Sequence, residues 1–379
     1  MRRIHELDSL RGIAAVTVMF SHYLLIFPAF FSNESNDIGV NVMKYTPLHI
    51  FWAGHEAVIL FFILSGLVLT IPFINTEKIN YGNYIFKRIF RIYIPYIFAV
   101  LIAIVSRVLF YTGPKNGLSD WFNSLWSNGF EYKLFFEHVL FIGSFNNNAY
   151  DPVLWSLIHE MRISLIFPFI IYIVKRCSVQ KSLCIAMICS IMGISLTKIS
   201  NSRLDIDVDY FMTLHYTAMF IVGSILAINL NGILQSKYVK KSGIYLFLGG
   251  ISFYTYRWWF FPKKAVFHKE IIGDWMTVLG VVLIICCLLR DPLSSFMKYS
   301  VFQFLGKISY SLYLYHSIVM LTLIHLLYGY LNIYMILILS IVGSLLVAFL
   351  AQYFVERNSI KLGKNLSLIE YKLKYFKGS

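Results

Sequence analysis

Apolar windows long enough to cross a membrane recur along almost the whole chain, and this repetition limits what it can fold into. A membrane-spanning helix needs about 20 mainly apolar residues. Of the 379 residues, 58% are hydrophobic and only 14% are charged, which is too apolar for an ordinary soluble domain. The sequence therefore predicts an all-α, polytopic membrane protein with about ten transmembrane helices, at about 10–31, 52–73, 92–112, 152–174, 182–197, 211–230, 243–261, 271–289, 308–328 and 333–355.

The basic residues alternate in abundance from loop to loop. If the N-terminus is cytoplasmic, twenty-two of the 33 Lys and Arg residues fall on the cytoplasmic side and nine on the outer side. Cytoplasmic loops of membrane proteins carry such an excess, so both termini are expected in the cytoplasm. The net charge of +14 therefore does not indicate nucleic-acid binding. A basic inner face attracts anionic ligands or lipids instead.

One transmembrane domain is predicted for residues 1–379, because the sequence shows no internal repeat and no low-complexity linker. Its spans cover about 10–355, and a basic cytoplasmic tail follows at 356–379. The longest exposed segment, about 113–151, is expected outside and is large enough to help shape a site. The first span lacks a small-residue cleavage site, so it is expected to remain on the protein. The five cysteines form no metal-type spacing with histidines, so no metal site is expected.

The first span, LDSLRGIAAVTVMFSHY at 7–23, contains three ionisable residues. Such residues are costly in a bilayer and by default mark function. Arg11 and His22 are eleven positions apart, so they share one helix face at a separation of about 16 Å. Arg11 is expected near the cytoplasmic entrance, paired with Asp8 one turn earlier, and His22 near the bilayer midplane. A hydrogen bond from His22 to a neighbouring helix remains the structural alternative.

The fourth span, WSLIHEMRISLIFP, contains Trp155, His159, Glu160 and Arg162 within eight residues. Glu160 needs either a cavity or a buried partner at this position. One interpretation is a salt bridge between Glu160 and an arginine that fixes helix packing. The other is a carboxylate that orients His22 or accepts a proton from it.

Three further segments contain candidate site residues. In KRIFRIYIPY, Arg88 and Arg91 follow Lys87 with a spacing that suits phosphate binding, although a plain cytoplasmic anchor explains them almost as well. In GHEAVILFFILSG, His55 and Glu56 lie near the outer end of the second span. In FLGKISYSLYLYHSIVM, one helix face presents Ser309, Tyr313 and His316, and an aromatic interface belt would explain the tyrosines equally well.

Five segments in this order resemble the membrane-bound acyltransferase-3 family, whose integral membrane enzymes typically O-acetylate bacterial surface polysaccharides. The resemblance spans about 7–316 and is carried by LDSLRGIAAVTVMFSH, GHEAVILFFILSGLVL, KRIFRIYIPY, WSLIHEMRISLIFP and LGKISYSLYLYH. It implies a stand-alone member without the hydrolase-like domain fused to many relatives. The chain departs from the family in VERNSI, which lacks the usual proline, so the end of the last helix is open.

The resemblance also implies roles for individual residues. His22 corresponds to the family's essential first-span histidine, and Arg11 to the arginine of its opening motif. Arg88 and Arg91 correspond to its arginine pair, and Glu160 to the acidic position of its Trp-Ser-Leu motif. The implied donor is acetyl-coenzyme A, and the implied acceptor is a carbohydrate or glycolipid hydroxyl presented at the bacterial cytoplasmic membrane.

These observations suggest a mechanism in which His22 is the general base and Glu160 tunes it. Direct transfer and an acetyl-histidine intermediate both remain open. The coenzyme A phosphates would bind Arg11, Lys87, Arg88 and Arg91, while the supporting residues would be Asp8, His55, Trp155, Ser156, Tyr313 and His316, with Ser156 and Tyr313 as candidate oxyanion donors. The alternative function is a proton-coupled transporter or flippase that uses Arg11, His22 and Glu160 as a relay.

Overall fold

The computed structural model describes residues 4–32, 35–75, 80–141, 147–201, 210–235, 243–259, 268–290 and 293–376. Within these ranges the chain is helical, and one isolated bridge between Tyr328 and Leu331 is the β pairing present there. The all-α prediction is therefore confirmed for the described part of the chain.

The α-helices, in chain order, are α1 (His5–Leu25), α2 (Pro28–Phe31), α3 (Ile38–Tyr45), α4 (Gly54–Thr70), α5 (Tyr81–Arg88), α6 (Ile94–Phe110), α7 (Asp120–Ser124), α8 (Tyr132–Leu140), α9 (Leu154–Arg176), α10 (Val179–Ile199), α11 (Met212–Gln235), α12 (Gly243–Thr255), α13 (Asp274–Leu288), α14 (Leu293–Met297), α15 (Ser300–Leu327), α16 (Ile333–Ala351) and α17 (Arg357–Phe376). Short 3-10 turns lie at Pro47–Trp52, Ile71–Phe73, Asn147–Ala149 and Tyr256–Trp258. Single π-helical turns lie at Ile89–Tyr93, His268–Gly273 and Gln352–Glu356.

Eight helical segments among the described residues are long and apolar enough to cross a membrane: Gly54–Phe73, Tyr81–Phe110, Leu154–Arg176, Val179–Ile199, Met212–Gln235, Glu270–Leu288, Ser300–Leu327 and Ile333–Leu366. Each coincides with one of the ten predicted windows, so the chain has the helices of a multi-pass membrane protein. The other two windows fall on α1, which contains several ionisable residues, and on α12, which has only 13 residues. Ten spans with cytoplasmic termini thus remain a prediction.

Two helix ends differ from the sequence prediction. Helix α1 ends at Leu25 rather than near 31, because Pro28 cannot continue a helix and instead begins α2. The last helical segment does not end near 355. It continues through a π turn into α17, since neither proline nor glycine occurs between 352 and 362 to stop it. Part of the expected basic tail is therefore helical.

The chain divides into two compact units. The first comprises Met1–Asn75, Asn116–Asn123 and Phe169–Ser309, and the second comprises Thr76–Lys115, Ser124–Pro168 and Tyr310–Ser379. In the first unit, α4 packs against α1, α11 and α13, while α10 packs on α11 and α12 on α13. In the second unit, α17 packs on α5 and on the adjoining π turn, where Ser359 donates a hydrogen bond to the Phe90 carbonyl.

Helices α4 and α11 approach closely enough for their backbones to touch. A methyl group added to Gly66 would meet the Phe220 carbonyl, and one added to Gly223 would meet the Ile63 carbonyl. Small residues permit such close helix packing in membranes. The two glycines therefore set the distance between these helices.

We expect Gly223→Ala to destabilise the protein by about 1–3 kcal/mol, because the new methyl group forces the two backbones apart. The matched control is Gly249→Ala in α12, where an added Cβ meets no atom within 4 Å. Alanine favours a helix over glycine by about 1 kcal/mol, so the control keeps or raises stability. Thermal unfolding in detergent, followed by circular dichroism, measures both. Equal melting temperatures for the two variants would contradict this account.

Candidate active site

Helices α1 and α4 run antiparallel in the first unit. The Arg11 guanidinium donates to the Leu64 carbonyl at 3.4 Å, near the end of α4. At the other end of the pair, a Cβ on Gly54 would meet the Ser21 side chain. Arg11 and His22 therefore lie near opposite ends of α1, and His22 is next to the start of α4.

Arg11 is held at its end of α1 by a second contact. Its guanidinium lies 3.8 Å from the Asp8 carboxylate, which is the pair that the i, i+3 spacing predicts. Both side chains are only partly exposed. The position of the guanidinium is thus fixed by one ion pair and one carbonyl.

His22 lies in the last turn of α1, half-buried, with its ring stacked on Trp121. The ring centroids are 5.5 Å apart and the ring planes differ by 24°. Trp121 belongs to the segment 113–151 that the sequence predicts to shape a site, although nothing in the sequence pairs it with His22. Because α1 ends at Leu25, His22 is one turn from the helix end and not half-way along a helix of 10–31.

Near the start of α4, the buried carboxylate of Asp274 contacts two imidazoles and one guanidinium. Asp274 is 2% exposed, and its Oδ1 lies 2.8 Å from His55 Nε2 and accepts a hydrogen bond from Arg257 at 2.5 Å. Its Oδ2 lies 3.1 Å from His215 Nε2. Such partners offset the cost of burying a charged carboxylate.

The same network continues from His215 to α10. His215 Nδ1 lies 2.8 Å from the Ser190 hydroxyl, which accepts a hydrogen bond from the Trp275 indole at 3.0 Å. With the Ser190 proton on the side of Nδ1, His215 carries its own proton on Nε2 and donates to Asp274. The polar side-chain atoms of Asp274, His215, Ser190 and Trp275 are then all paired. His215 and Ser190 are fully buried, so they serve as scaffold for the partly exposed His55.

The sequence pattern singles out His55 but not its partners. Asp274 and His215 lie inside the predicted windows 271–289 and 211–230, where an ionisable residue is the same signal that singled out Glu160. Arg257 is one of the nine basic residues expected on the outer side, and nothing in its sequence context marks it as a partner of Asp274. Their assembly around one carboxylate could not be predicted, because the partners lie far apart in the chain.

In the second unit, Arg88 is buried and interacts with Glu160. Its guanidinium hydrogen-bonds the Tyr84 hydroxyl and interacts electrostatically with the Glu160 carboxylate. The Tyr84 hydroxyl also donates to the Ser164 carbonyl at 3.0 Å. These contacts support the interpretation of Glu160 as an arginine partner that fixes helix packing. A role for Glu160 in proton transfer stays a prediction.

The two cations beside Arg88 are exposed. Lys87 and Arg91 present their side chains at the surface of the second unit, and Arg91 interacts with Glu356. The Nε atom of Arg88 is buried without a hydrogen-bond acceptor among the described residues. The two exposed cations have the charge and hydrogen-bond donors that phosphate oxygens require, whereas Arg88 is buried. Binding of a phosphate-bearing donor by this set stays a prediction.

Ser156 and Tyr313 form a buried pair in the second unit. Their hydroxyls are 2.5 Å apart, and Tyr313 also donates to the Val153 carbonyl at 3.4 Å. His316 is fully buried, and its Nδ1 lies 2.9 Å from the Leu312 carbonyl of its own helix. Trp155 contacts His159 edge to face at 6.1 Å. These contacts hold helices, and the oxyanion role of Ser156 and Tyr313 stays a prediction.

A comparison with protein-family models matches an acyltransferase domain, acyltransferase-3, over residues 4–353. The chain belongs to the acyltransferase-3 family. The match includes every candidate residue discussed above except Glu356, and it supports an acyltransferase activity for this membrane protein. Comparisons with curated proteins and with solved structures gave no significant match.

In this acyltransferase, a further buried carboxylate precedes α9. Asp151 is fully buried, accepts hydrogen bonds from the Ser317 hydroxyl and the Val153 N–H, and has no hydrogen-bond partner at Oδ2 among the described residues. Burial raises the pKa of Asp151 to about 7, although the Ser317 hydroxyl works in the opposite direction. The folded protein therefore holds a proton on this carboxyl that the unfolded chain has released.

Stability is expected to fall as pH rises through the window between the ordinary Asp pKa of about 4 and the folded value of about 7. In this window the folded state binds more protons than the unfolded state, so deprotonation favours unfolding. Asp151→Asn should flatten that part of the profile, because the amide does not titrate. Melting temperatures at closely spaced pH values, for both proteins in one detergent, give the comparison. A wild-type profile that rises with pH in this window, or an unchanged slope in the variant, would refute the assignment.

Proposed function

We propose that this acyltransferase moves an acetyl group from cytosolic acetyl-coenzyme A to a hydroxyl of a carbohydrate acceptor, such as O-antigen, capsule or exopolysaccharide, at the bacterial cytoplasmic membrane. The observation that carries the proposal is the position of His22. It is half-buried against Trp121, at the opposite end of α1 from Arg11. The family supplies the acyl-transfer chemistry, and the resemblance of the motifs suggests the donor and acceptor.

His22 acts as the general base in this proposal. Half burial leaves part of the imidazole accessible, and the stacked indole of Trp121 restricts the ring plane. The neutral ring accepts the proton of the acceptor hydroxyl while the hydroxyl oxygen attacks the thioester carbonyl. The tetrahedral intermediate then breaks its C–S bond, and the imidazolium gives the proton to the departing coenzyme A thiolate, which restores the neutral ring. General-base assistance of this kind contributes about 10²- to 10⁴-fold to rate.

The cations bind the donor. Acetyl-coenzyme A supplies the thioester and several phosphates, and the exposed Lys87 and Arg91 are placed to hold phosphate oxygens. Arg88 is buried against Tyr84 and Glu160, next to these two cations in sequence. Arg11 is the proposed donor contact in the first unit, held by Asp8 and the Leu64 carbonyl.

The alternative is a proton-coupled transporter or flippase that uses Arg11, His22 and Glu160 as a relay. The residues between Arg11 and His22 argue against the part of this relay that would run along α1. Ala15, Val18 and Met19 occupy the helix face that joins Arg11 to His22, and all three are buried and apolar. A relay requires hydrogen-bonding groups in contact, whereas these side chains carry none over about 16 Å. Acyl transfer needs no such chain within α1.

We expect His22→Gln to lower kcat by about 10²- to 10⁴-fold, because the general base is lost. The measurement uses purified protein in detergent, labelled acetyl-coenzyme A and glycan from the native host. His5→Gln, at an exposed histidine of the same helix, is the matched control and should retain most activity. Full transfer by His22→Gln would sink the role of His22. Proton-driven solute uptake by the wild type, without transfer to any glycan, would establish the transporter instead.

Lys87→Gln and Arg91→Gln should each raise KM for acetyl-coenzyme A several-fold, because each removes a cation from the phosphates. The same variants should leave KM for acetyl-pantetheine unchanged, since that donor lacks the nucleotide phosphates. Lys181→Gln, at an exposed lysine on the same expected side, controls for overall charge. An equal rise in KM for both donors, or a similar rise in the control, would rule out direct phosphate binding.

A further inference from the structure

A second polar cluster lies beside Asp274, at the start of α4. Glu56 directly follows His55 in sequence, and its Oε1 accepts a hydrogen bond from the Trp258 indole at 2.7 Å. Trp258 in turn follows Arg257, which binds Asp274. The turn Tyr256–Trp258 therefore holds both carboxylates, one through a guanidinium and one through an indole.

The two carboxylates differ in how completely they are paired. Both oxygens of Asp274 have partners, whereas Glu56 Oε2 is fully buried and accepts no hydrogen bond from the described residues. His49 Nε2 lies 3.9 Å from Glu56 Oε2. Burial lowers the pKa of His49 to about 4, so this imidazole is neutral at physiological pH and places no positive charge beside Glu56.

Two further polar atoms beside Glu56 are also unpaired. His49 Nδ1 and Trp52 Nε1 are buried and have no hydrogen-bond partner among the described residues. A buried polar atom that stays unsatisfied destabilises the folded state, and native proteins keep few of them. Three in one cluster indicate that a ligand completes the hydrogen bonding here.

The hydrogen-bonding chemistry of two of these atoms, Glu56 Oε2 and Trp52 Nε1, restricts the kind of ligand. Glu56 Oε2 can only accept a hydrogen bond, and the Trp52 indole can only donate one. An ammonium group would satisfy the carboxylate but not the indole, and an anion would be repelled by the carboxylate. A hydroxyl group donates and accepts, so it can serve both atoms.

The surrounding rings suit a sugar. The His49 ring lies 4.6 Å from the Trp258 ring and 6.4 Å from the Trp52 ring, measured between centroids. Both tryptophans are half-buried, and aromatic faces of this kind offer large apolar contact area beside polar atoms. A pyranose has the same combination of apolar C–H faces and hydroxyl groups.

The cluster also lies at the end of the first unit that contains His22. Gly54, two residues before Glu56, packs against Ser21, which precedes His22. Two residues of helix advance only about 3 Å along its axis. We propose that His49, Trp52 and Glu56 form the hydroxyl-binding subsite for the carbohydrate acceptor. The Asp274 network fixes the start of α4, and Trp258 fixes Glu56. This assignment rests on the proposed function.

Saturation-transfer NMR on the purified full-length protein tests the subsite without requiring activity. The probes are the methyl glycosides of glucose, galactose, mannose and N-acetylglucosamine, with tetrahydropyran as the ring that lacks hydroxyls. We expect saturable binding of at least one glycoside and none of tetrahydropyran. No saturable glycoside binding, or equal binding of tetrahydropyran, would overturn the subsite.

Two variants remove one hydrogen-bonding function each: Trp52→Phe removes the indole N–H, and Glu56→Gln removes the carboxylate. Both should weaken glycoside binding tenfold or more. The matched control is Trp259→Phe, because the Trp259 indole already donates to the Thr255 hydroxyl at 3.0 Å. The control should bind as the wild type does. Melting temperatures show that each variant is folded, and Trp52→Phe decides the question if Glu56→Gln is not. Wild-type affinity in Trp52→Phe, or equal weakening in the control, refutes the subsite.

Transfer kinetics separate this inference from the proposed function. Both hold if Trp52→Phe raises KM for the glycan acceptor tenfold or more and leaves KM for acetyl-coenzyme A unchanged. Glycoside binding that depends on Trp52, in a wild type that transfers no acetyl group, supports the subsite and overturns the proposed function. Acetyl transfer that proceeds with an unchanged acceptor KM in Trp52→Phe overturns the subsite alone.

Discussion

The carboxylate of Asp274 determines how one end of the first unit is built. A buried carboxylate loses hydration worth several kcal/mol, and only close charged or hydrogen-bonding partners compensate for this. Its partners come from three places that are distant in sequence: His55 at the start of α4, His215 in α11 and Arg257 in the turn after α12. Because one small group must reach all three, their backbones are tied to the start of α13. This restriction places the start of α4, against which the last turn of α1 is packed.

The antiparallel packing of α1 and α4 then separates the two chemical ends of α1. Arg11 is fixed near the end of α4 by the Leu64 carbonyl, while His22 is fixed near its start. The face between them is apolar, so nothing along it competes for protons or for a thioester. An enzyme that receives its donor from one side and its acceptor from the other needs this separation. In the proposed function the helix itself supplies the distance between the donor contact and the base.

Local periodicity explains which features the sequence could predict. The all-α class, eight of the helical windows and the pair Asp8–Arg11 follow from hydropathy and from helix geometry over a few residues. The sequence also contains the signal that ends α1 before residue 31, because Pro28 cannot continue a helix. By contrast, the contact of Trp121 with His22 joins positions about a hundred residues apart, and the partners of Asp274 are spread over most of the first unit. Such contacts depend on tertiary packing, which neither spacing nor composition contains.

Three buried carboxylates show why the partners matter more than the residue type. Asp274 has two imidazoles and a guanidinium within hydrogen-bond distance. Asp151 has only a hydroxyl and a backbone N–H, so burial raises its pKa to about 7 and it takes up a proton near neutral pH. Glu56 has one indole N–H on one oxygen, beside a histidine whose pKa burial lowers to about 4. Its second oxygen is left to accept from something else. Sequence alone treats the three as equivalent acidic positions, whereas their surroundings make one a scaffold, one a titrating group and one the acceptor of a ligand hydroxyl.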